Sequence, residues 1–184
     1  MTAHDYRVKS SAVEYSAFKF EMVRDSVEMP GNGVADRIYL RHPGAVAVVA
    51  IDDDRIALVK QYRHPVGEHL WELPAGLCDV AGEAPADTAR RELEEEIDMR
   101  AGVVEPLIEL YSSPGCSDEH VAVFLASQLT PVPAGERHVR VDEEADMEIR
   151  WWPIEEAVAG ILSSKIRNGI GIAGILAAVA QRNR

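Results

Sequence analysis

Four glutamates crowd into residues 91–96, which read RELEEE. At helical spacing Glu92, Glu95 and Glu96 stand at i, i+3 and i+4, so their side chains share one helix face. Like charges at that spacing repel one another and add nothing to the stability of the helix. Carboxylate oxygens are ligands that Mg²⁺ and Mn²⁺ prefer, so the pattern favours a divalent-cation site over a solvated acidic face.

The acidic run belongs to a predicted helix that follows a glycine-rich turn. Pro74 and Gly76 predict the end of a preceding strand, and Gly82 relaxes the turn before Glu83. Pro85 suits the first turn of a helix, because its missing N–H costs nothing there. An apolar arc beside the carboxylates consists of Ala86, Ala89, Leu93 and Ile97. One face of the helix can therefore dock on a sheet while the acidic face points into a cleft.

Residues 76–99 resemble the Nudix box, which is a glycine, then a glutamate, then R-E-U-x-E-E-x-G-U, where U is apolar. Seven residues separate Glu83 from Arg91, as in that pattern. Two departures are visible. Six residues instead of five lie between Gly76 and Glu83, and Asp98 occupies the position of the final glycine. We expect Asp98 to adopt the left-handed cap of the helix, a conformation that Asp tolerates better than most residues.

The resemblance implies a Nudix hydrolase, which cleaves a nucleoside diphosphate linked to a further group with the help of Mg²⁺ or Mn²⁺. By their positions in the box, Glu92 and Glu96 are expected to be catalytic and to be the principal metal ligands. Glu95 is expected to help bind a further ion, and the carbonyl of Ala75 to join the ligand set. Arg91 would pair with this acidic cluster and orient it.

Stretches outside the box resemble the actinobacterial ADP-ribose pyrophosphatases, a branch of the same superfamily. These stretches are GAVAVVAIDD, QYRHPVGEHLWELPAGLCDVAGE, SPGCSDE and DEEADMEIRWWPI. Pro114 lies 15 residues after Met99, an offset that marks this branch. By the same likeness Arg63 is expected to contact phosphate, Glu72 to bind the substrate or a metal-bound water, and Asp118 to bind the substrate. The implied reaction is hydrolysis of ADP-ribose to AMP and ribose 5-phosphate.

The family's general base lies on a late loop, and residues 141–146 (VDEEAD) fit that position. A base separate from the box is expected because the box carboxylates would be occupied by metal. The likeness favours Glu144, with Glu143 as the alternative. Trp71 has two interpretations, stacking on a nucleotide base or packing in the interior. Glu83 is interpreted as a partner of the metal-binding loop or as an ordinary residue at the helix start, and we favour the first.

The rest of the chain predicts an α/β fold with a small N-terminal sheet. Alternating polar and apolar residues over 1–42 indicate an antiparallel sheet. Residues 43–184 resemble the Nudix domain, which implies an α/β/α sandwich with a mixed sheet. Further strands are predicted at 45–51, 55–63, 103–111, 121–129 and 146–152, and helices at 154–163 and 169–181. Asn168 is the predicted N-cap of the last helix.

Composition narrows the possible partners and location. With 184 residues, 47% of them hydrophobic, the chain can bury a full core, and its net charge of −12 argues against nucleic acid or an anionic membrane as a partner. We expect a cytoplasmic protein, because neither a secretory signal nor a membrane-spanning run is visible and two cysteines are too few for a disulfide framework.

Family members of this branch are homodimers in which the N-terminal sheet contributes to the partner's nucleotide site. The resemblance therefore implies a homodimer acting on a small nucleoside diphosphate.

Two alternative functions stay open. Near relatives handle other nucleotide sugars such as GDP-mannose. A different class comprises regulatory Nudix modules that bind ADP-ribose without cleaving it. Such regulators usually carry a DNA-binding winged helix and a damaged box, whereas this chain is acidic and keeps Glu92, Glu95 and Glu96.

Overall fold

The computed structural model describes residues 4–141 and 145–183. The chain divides into two compact units. The first comprises Met1–Gly44 and Tyr111–His120, and the second Ala45–Leu110 and Val121–Arg184.

The first unit is built on a three-stranded antiparallel sheet. Its strands are β1 (Val8–Ala17), β2 (Phe20–Met29) and β3 (Gly33–Arg41), in the order β1-β2-β3. The segment Tyr111–His120 joins this unit through backbone hydrogen bonds: Leu40 N–H donates to the Cys116 carbonyl (2.9 Å), and Asp118 N–H donates to the Leu40 carbonyl (3.2 Å). The small N-terminal sheet expected from the alternating pattern is confirmed.

The second unit contains a seven-stranded sheet and three helices. The strands are β4 (Ala45–Asp52), β5 (Arg55–Arg63), β6 (Glu68–Glu72), β7 (Ala75–Leu77), β8 (Met99–Tyr111), β9 (His120–Pro131) and β10 (Glu148–Pro153). The helices are α1 (Pro85–Ile97), α2 (Ile154–Leu162) and α3 (Gly169–Arg182). The main order is β10-β5-β4-β9-β8, with β6 on β5 and β7 on β4. Because β4 runs parallel to β9 and antiparallel to β5, the sheet is mixed, as predicted.

Strand β4 shows why helices cover both faces of this sheet. Successive side chains of a strand point to opposite faces. Val46 and Val48 pack in one apolar cluster with Leu93 of α1, whereas Ala47 and Val49 belong to a second cluster. That second cluster also holds Ala157 of α2 and both Ile175 and Ala178 of α3. The expected α/β/α sandwich is therefore confirmed.

The predicted strands and C-terminal helices are present, with ends that differ by up to four residues. Strand β8 begins at Met99 and not at residue 103, and β10 begins at Glu148 and not at residue 146. The Asn168 side chain accepts a hydrogen bond from Gly171 N–H (2.8 Å), which confirms it as the N-cap of α3. The sequence did not predict β6 and β7, two short strands of five and three residues, with Pro74 in the break between them.

Two smaller expectations are settled by burial. Trp71 is 8% exposed and packs edge to face on Trp152, with ring centroids 5.2 Å apart, so it lies in the interior. Both cysteines are free thiols, Cys78 half-buried and Cys116 exposed. In the described part of the chain, no helix combines the length and the apolar character that crossing a membrane would require.

Candidate active site

Helix α1 carries the acidic run, and both of its ends follow from the sequence. Pro85 occupies the first turn, and the helix ends at Ile97, followed by the C-cap Asp98 in the left-handed conformation (φ 54°, ψ 36°). The N–H of Asp98 donates to the Leu93 carbonyl and thus closes the last turn. The two predictions for this helix, its start at Pro85 and its cap at Asp98, are both confirmed.

Two of the box glutamates are buried against strand β7. Glu92 is 7% exposed and Glu96 is 4% exposed, which is rare for carboxylates without partners. Glu96 Oε2 accepts a hydrogen bond from Ala75 N–H (3.0 Å). A Cβ atom added at Gly76 would overlap the Glu92 carboxylate. Any side chain at position 76 would therefore displace the Glu92 carboxylate from its place beside β7.

Arg91 donates hydrogen bonds to three carboxylates of the box. Its Nη1 lies 2.6 Å from Glu92 Oε1 and 3.2 Å from Glu95 Oε2, while its Nε and Nη2 donate to Glu83 at 3.2 and 3.1 Å. The hydrogen bonds that Arg91 donates to the Glu83 carboxylate are the largest cause that holds the pKa of the Arg91 guanidinium above its ordinary value. The prediction that Arg91 pairs with the acidic cluster is confirmed.

Thr88 completes this network, and sequence reasoning missed it. Its hydroxyl, fully buried, donates to Glu83 Oε2 at 2.8 Å. Hydrogen bonds from Arg91 and then from Thr88 lower the pKa of Glu83 below its ordinary value of 4.5. Burial, followed by the charge of Glu83, raises the pKa of the Cys78 thiol, so that thiol stays protonated. A signal was available, since threonine near the start of a helix commonly bonds a neighbouring polar group.

The residues of this face suit a hard divalent cation by their chemistry. Glu92, Glu95 and Glu96 supply carboxylate oxygens, and Ala75 brings its backbone to Glu96. Among residues 4–141 and 145–183, however, no group of three or more His, Cys, Asp or Glu side chains stands in an arrangement that could hold a metal ion. In this arrangement the guanidinium of Arg91 neutralises Glu92 and Glu95.

Arg63 and Glu72, both expected to bind substrate, contact each other. Arg63 Nη2 lies 2.6 Å from Glu72 Oε2, and Arg63 Nε lies 3.1 Å from both carboxylate oxygens. The Glu72 side chain is 4% exposed, whereas 43% of the Arg63 side chain is exposed. The buried carboxylate of Glu72 therefore fixes the direction of the Arg63 guanidinium, while part of the Arg63 side chain stays exposed.

Asp118 and the expected base are the remaining predicted site residues. Asp118 belongs to the first unit, where its Oδ1 accepts a hydrogen bond from His42 N–H at 2.8 Å. This contact fixes the end of β3 to the segment Tyr111–His120. Glu144 and its alternative Glu143 lie outside the described residues.

Comparisons with known proteins agree with this geometry. The family model of the NUDIX domain matches residues 40–170. The chain is 48% identical over 178 residues to the ADP-ribose pyrophosphatase of Mycobacterium tuberculosis, covering 96% of this chain and 84% of that protein. It is 36% identical over 153 residues to the ADP-ribose pyrophosphatase of Bacillus subtilis, covering 83% and 80% of the two chains.

The fold also has a close counterpart among solved structures. The crystal structure of an ADP compounds hydrolase matches 98% of this chain and 96% of its own with a TM-score of 0.81. The sequence identity is 19%, so this likeness concerns the fold alone. The family model covers well over half of the chain, and both relatives share more than a third of their aligned residues with it. The chain therefore belongs to the Nudix family of hydrolases, in the branch of the ADP-ribose pyrophosphatases.

Proposed function

We propose that this protein hydrolyses the diphosphate bond of ADP-ribose to give AMP and ribose 5-phosphate. The observation that supports it best is the buried pair Glu92 and Glu96 on α1, held against the backbone of Ala75 and Gly76. Arg91 pairs with Glu92 and Ala75 N–H donates to Glu96, so both carboxylates are held in place on one helix face, where their oxygens are of the kind that a hard divalent cation prefers. The 48% identity to a named ADP-ribose pyrophosphatase favours ADP-ribose over other nucleoside diphosphates.

Mg²⁺ or Mn²⁺ is the proposed cofactor. Nudix hydrolases generally depend on a divalent metal. We assign Glu92, Glu95, Glu96 and the carbonyl of Ala75 as the groups that hold it. Bound there, the cation would neutralise diphosphate oxygens and acidify a water molecule.

The remaining residues of the site bind, orient or accept a proton. We assign phosphate binding to Arg63, because a guanidinium matches the geometry of phosphate oxygens and the buried carboxylate of Glu72 fixes its direction. In the reaction, a water oxygen bonds to one phosphorus, the bridging P–O bond breaks, and the bridging oxygen leaves on the other phosphate. We assign the removal of the water proton to Glu144, with Glu143 as the alternative.

A homodimer formed through the first unit is part of the proposal. The register of its sheet places Met22 opposite both Tyr15 and Leu40, and Ile38 follows two residues away on the same face. Tyr15 is 68% exposed and Ile38 is 59% exposed, so this face carries exposed apolar side chains, with the charged Arg24 opposite Ile38. We propose that residues 1–42 serve as a dimerisation and substrate-site element, with Asp118 at the substrate, and residues 43–184 as the hydrolase domain.

The partners and location follow from the same proposal. A small nucleoside diphosphate is the substrate, and the net charge of −12 disfavours nucleic acid. The cytoplasm is the proposed location, where free thiols such as Cys78 and Cys116 stay reduced.

The test is product analysis with ADP-ribose, GDP-mannose and a dinucleoside polyphosphate, each with Mg²⁺ or Mn²⁺. We expect AMP and ribose 5-phosphate from ADP-ribose, formed faster than any product of the other two substrates. Glu96→Gln removes a ligand charge, so its kcat should fall by roughly 100-fold or more. Glu144→Gln should lower kcat by about 100-fold, and Glu143→Gln much less.

Glu105→Gln is the matched control, because Glu105 is an exposed carboxylate on β8 and should leave kcat unchanged. Faster turnover of GDP-mannose would keep the metal site and refute the substrate. Binding of ADP-ribose without cleavage of any compound would refute the enzyme and leave a sensor. If Glu143→Gln is the more damaging variant, the assignment of the base is wrong.

A further inference from the structure

Asp98 occupies the position at which the Nudix pattern has a glycine, and its backbone caps α1 as that glycine would. It caps α1 in the left-handed conformation, and its carbonyl accepts a hydrogen bond from Val132 N–H at 2.8 Å. A glycine could make both of these contacts and would adopt the conformation more readily. The carboxylate of Asp98 is therefore an addition that the cap itself does not need.

That carboxylate lies against Arg140. Arg140 Nη2 is 3.0 Å from Asp98 Oδ2, and both side chains are largely buried, at 20% and 17% exposed. The nitrogen atoms Nε and Nη2 of Arg140 lack an aligned hydrogen-bond partner, as does Asp98 Oδ1. The contact is thus an ion pair held by charge, and a guanidinium buried this far would be unfavourable without it.

Further contacts fix the same segment, Val132–Arg140, to the end of α1. Arg100 donates to Glu94 of α1 (3.0 Å) and to Glu136 of the segment (2.9 Å), so it bridges the two. Val132, 2% exposed, anchors the beginning of the segment, and the Asp98–Arg140 ion pair anchors its end.

The anchored segment forms one wall of a groove beside the box. The groove has a volume of about 460 Å³. Arg91 and Glu95 line it from α1, and Glu136 and His138 line it from the segment. The position of the segment therefore determines the surroundings of two box residues.

We propose that Asp98 is a positioning residue for hydrolysis, because its ion pair with Arg140 fixes the segment Val132–Arg140 beside Arg91 and Glu95. This inference rests on the proposed function. Only Val141 separates Arg140 from the acidic run in which the base is assigned. Loss of the ion pair should consequently slow the chemical step and leave substrate affinity nearly unchanged.

The experiment is a double-mutant cycle with Asp98→Gly and Arg140→Gln, read by kcat and KM for ADP-ribose. Each single variant should lower kcat by about tenfold with KM within about twofold, since small misplacements of site groups cost this much. The double variant should lose no more than either single variant, because both remove the same contact. Arg140→Lys keeps the cation and should recover part of the kcat.

Two further measurements separate positioning from loss of the fold. Glycine is well suited to the cap, so Asp98→Gly should melt within a few degrees of the wild type. Trypsin should cut it after Arg137 several times faster than it cuts the wild type, because the segment opens more often. Asp52→Asn is the control, since it removes an ion pair with Arg55 (2.7 Å) elsewhere in the second unit and should change none of these values.

Several results would overturn the inference. They are an unchanged kcat and trypsin rate in Asp98→Gly, losses that multiply in the double variant, and a kcat loss that simply follows the melting temperature. A wild-type protein that cleaves no ADP-ribose would refute the proposed function instead. The trypsin rates of Asp98→Gly and the wild type would still show whether Asp98 holds the segment.

Discussion

Gly76 and Glu92 show how closely a single backbone position and the side chain of a proposed metal ligand depend on each other. The glycine is not in the left-handed region, so its role is to leave room. Any β-carbon at this position would push the Glu92 carboxylate from its place beside β7. Glycine at position 76 is thus needed for Glu92 to keep the orientation that the proposed metal site would use.

Gly76→Ala should therefore weaken Mn²⁺ binding and lower kcat by roughly 10-fold to 100-fold, because Glu92 can no longer hold its orientation. Calorimetric titration with Mn²⁺ and initial rates with ADP-ribose measure the two effects. Gly169→Ala serves as the control, since a β-carbon there would meet no atom within 4 Å. If Gly76→Ala binds Mn²⁺ as tightly as the wild type and keeps its kcat, Glu92 moves aside without consequence and the argument fails.

At the scale of elements, α1 starts without the usual side-chain cap. Its N-cap is Ala84, whose side chain accepts no hydrogen bond. The polar contacts of this end are instead made by Glu83, which receives hydrogen bonds from Thr88 and from Arg91. Arg91 in turn holds Glu92, so the start of the helix and the box carboxylates form one connected network.

This network predicts a pH-dependent stability effect for Thr88→Val. The valine removes one donor to Glu83, so the lowered pKa of Glu83 should rise toward its ordinary value of 4.5. A carboxylate with a lowered pKa stabilises the fold above its unfolded pKa and loses that contribution as the pH falls through the folded pKa. The variant should accordingly melt a few degrees below the wild type at pH 7, and the difference should shrink below pH 4.5.

Thermal melts at several pH values test this, with Thr88→Ser as the matched variant that keeps the hydroxyl group. Thr88→Ser should retain most of the stability at neutral pH. A deficit of equal size at every pH would mean that Thr88 matters through packing and not through Glu83.

Local patterns predicted those elements whose signals lie within a few residues. Pro85 and Asp98 marked the ends of α1, and the apolar run that became β4 was read correctly, because turn chemistry and side-chain alternation act locally. Contacts between distant parts of the chain left no such signal. Asp98 and Arg140 are 42 residues apart, and nothing in either sequence neighbourhood indicates that they pair.

The site itself was predicted in part for the same reason. The spacing of Glu92 and Glu96 placed them on one face, but only the packing of β7 on β4 shows why they are buried. Arg63 and Glu72 were each expected at the substrate, yet their mutual ion pair depends on the pairing of β5 with β6, and β6 was not predicted.

For the whole molecule, the exposed face of the first unit has the properties of an interface. It combines Tyr15, Met22 and Ile38 with polar neighbours, whereas isolated apolar residues on a surface need no explanation. A sheet of three strands gains stability when such a face is covered. A second copy of the same unit carries the same apolar residues. Packed against the first copy through a two-fold axis, it would cover this face on both copies.

Replacing Met22 and Ile38 together by lysine should therefore convert the proposed dimer into a monomer, because two buried cations on each side would face their copies across the two-fold axis. Sedimentation velocity measures the association state over a range of protein concentrations. Leu162→Lys, which adds a cation at an 83% exposed position of α2, should leave the association state of the wild type unchanged. If the doubly substituted protein sediments as the wild type does, this face is not the interface. If the wild type is monomeric at every concentration while ADP-ribose hydrolysis proceeds at full rate, each chain carries a complete site and the first unit serves its own subunit.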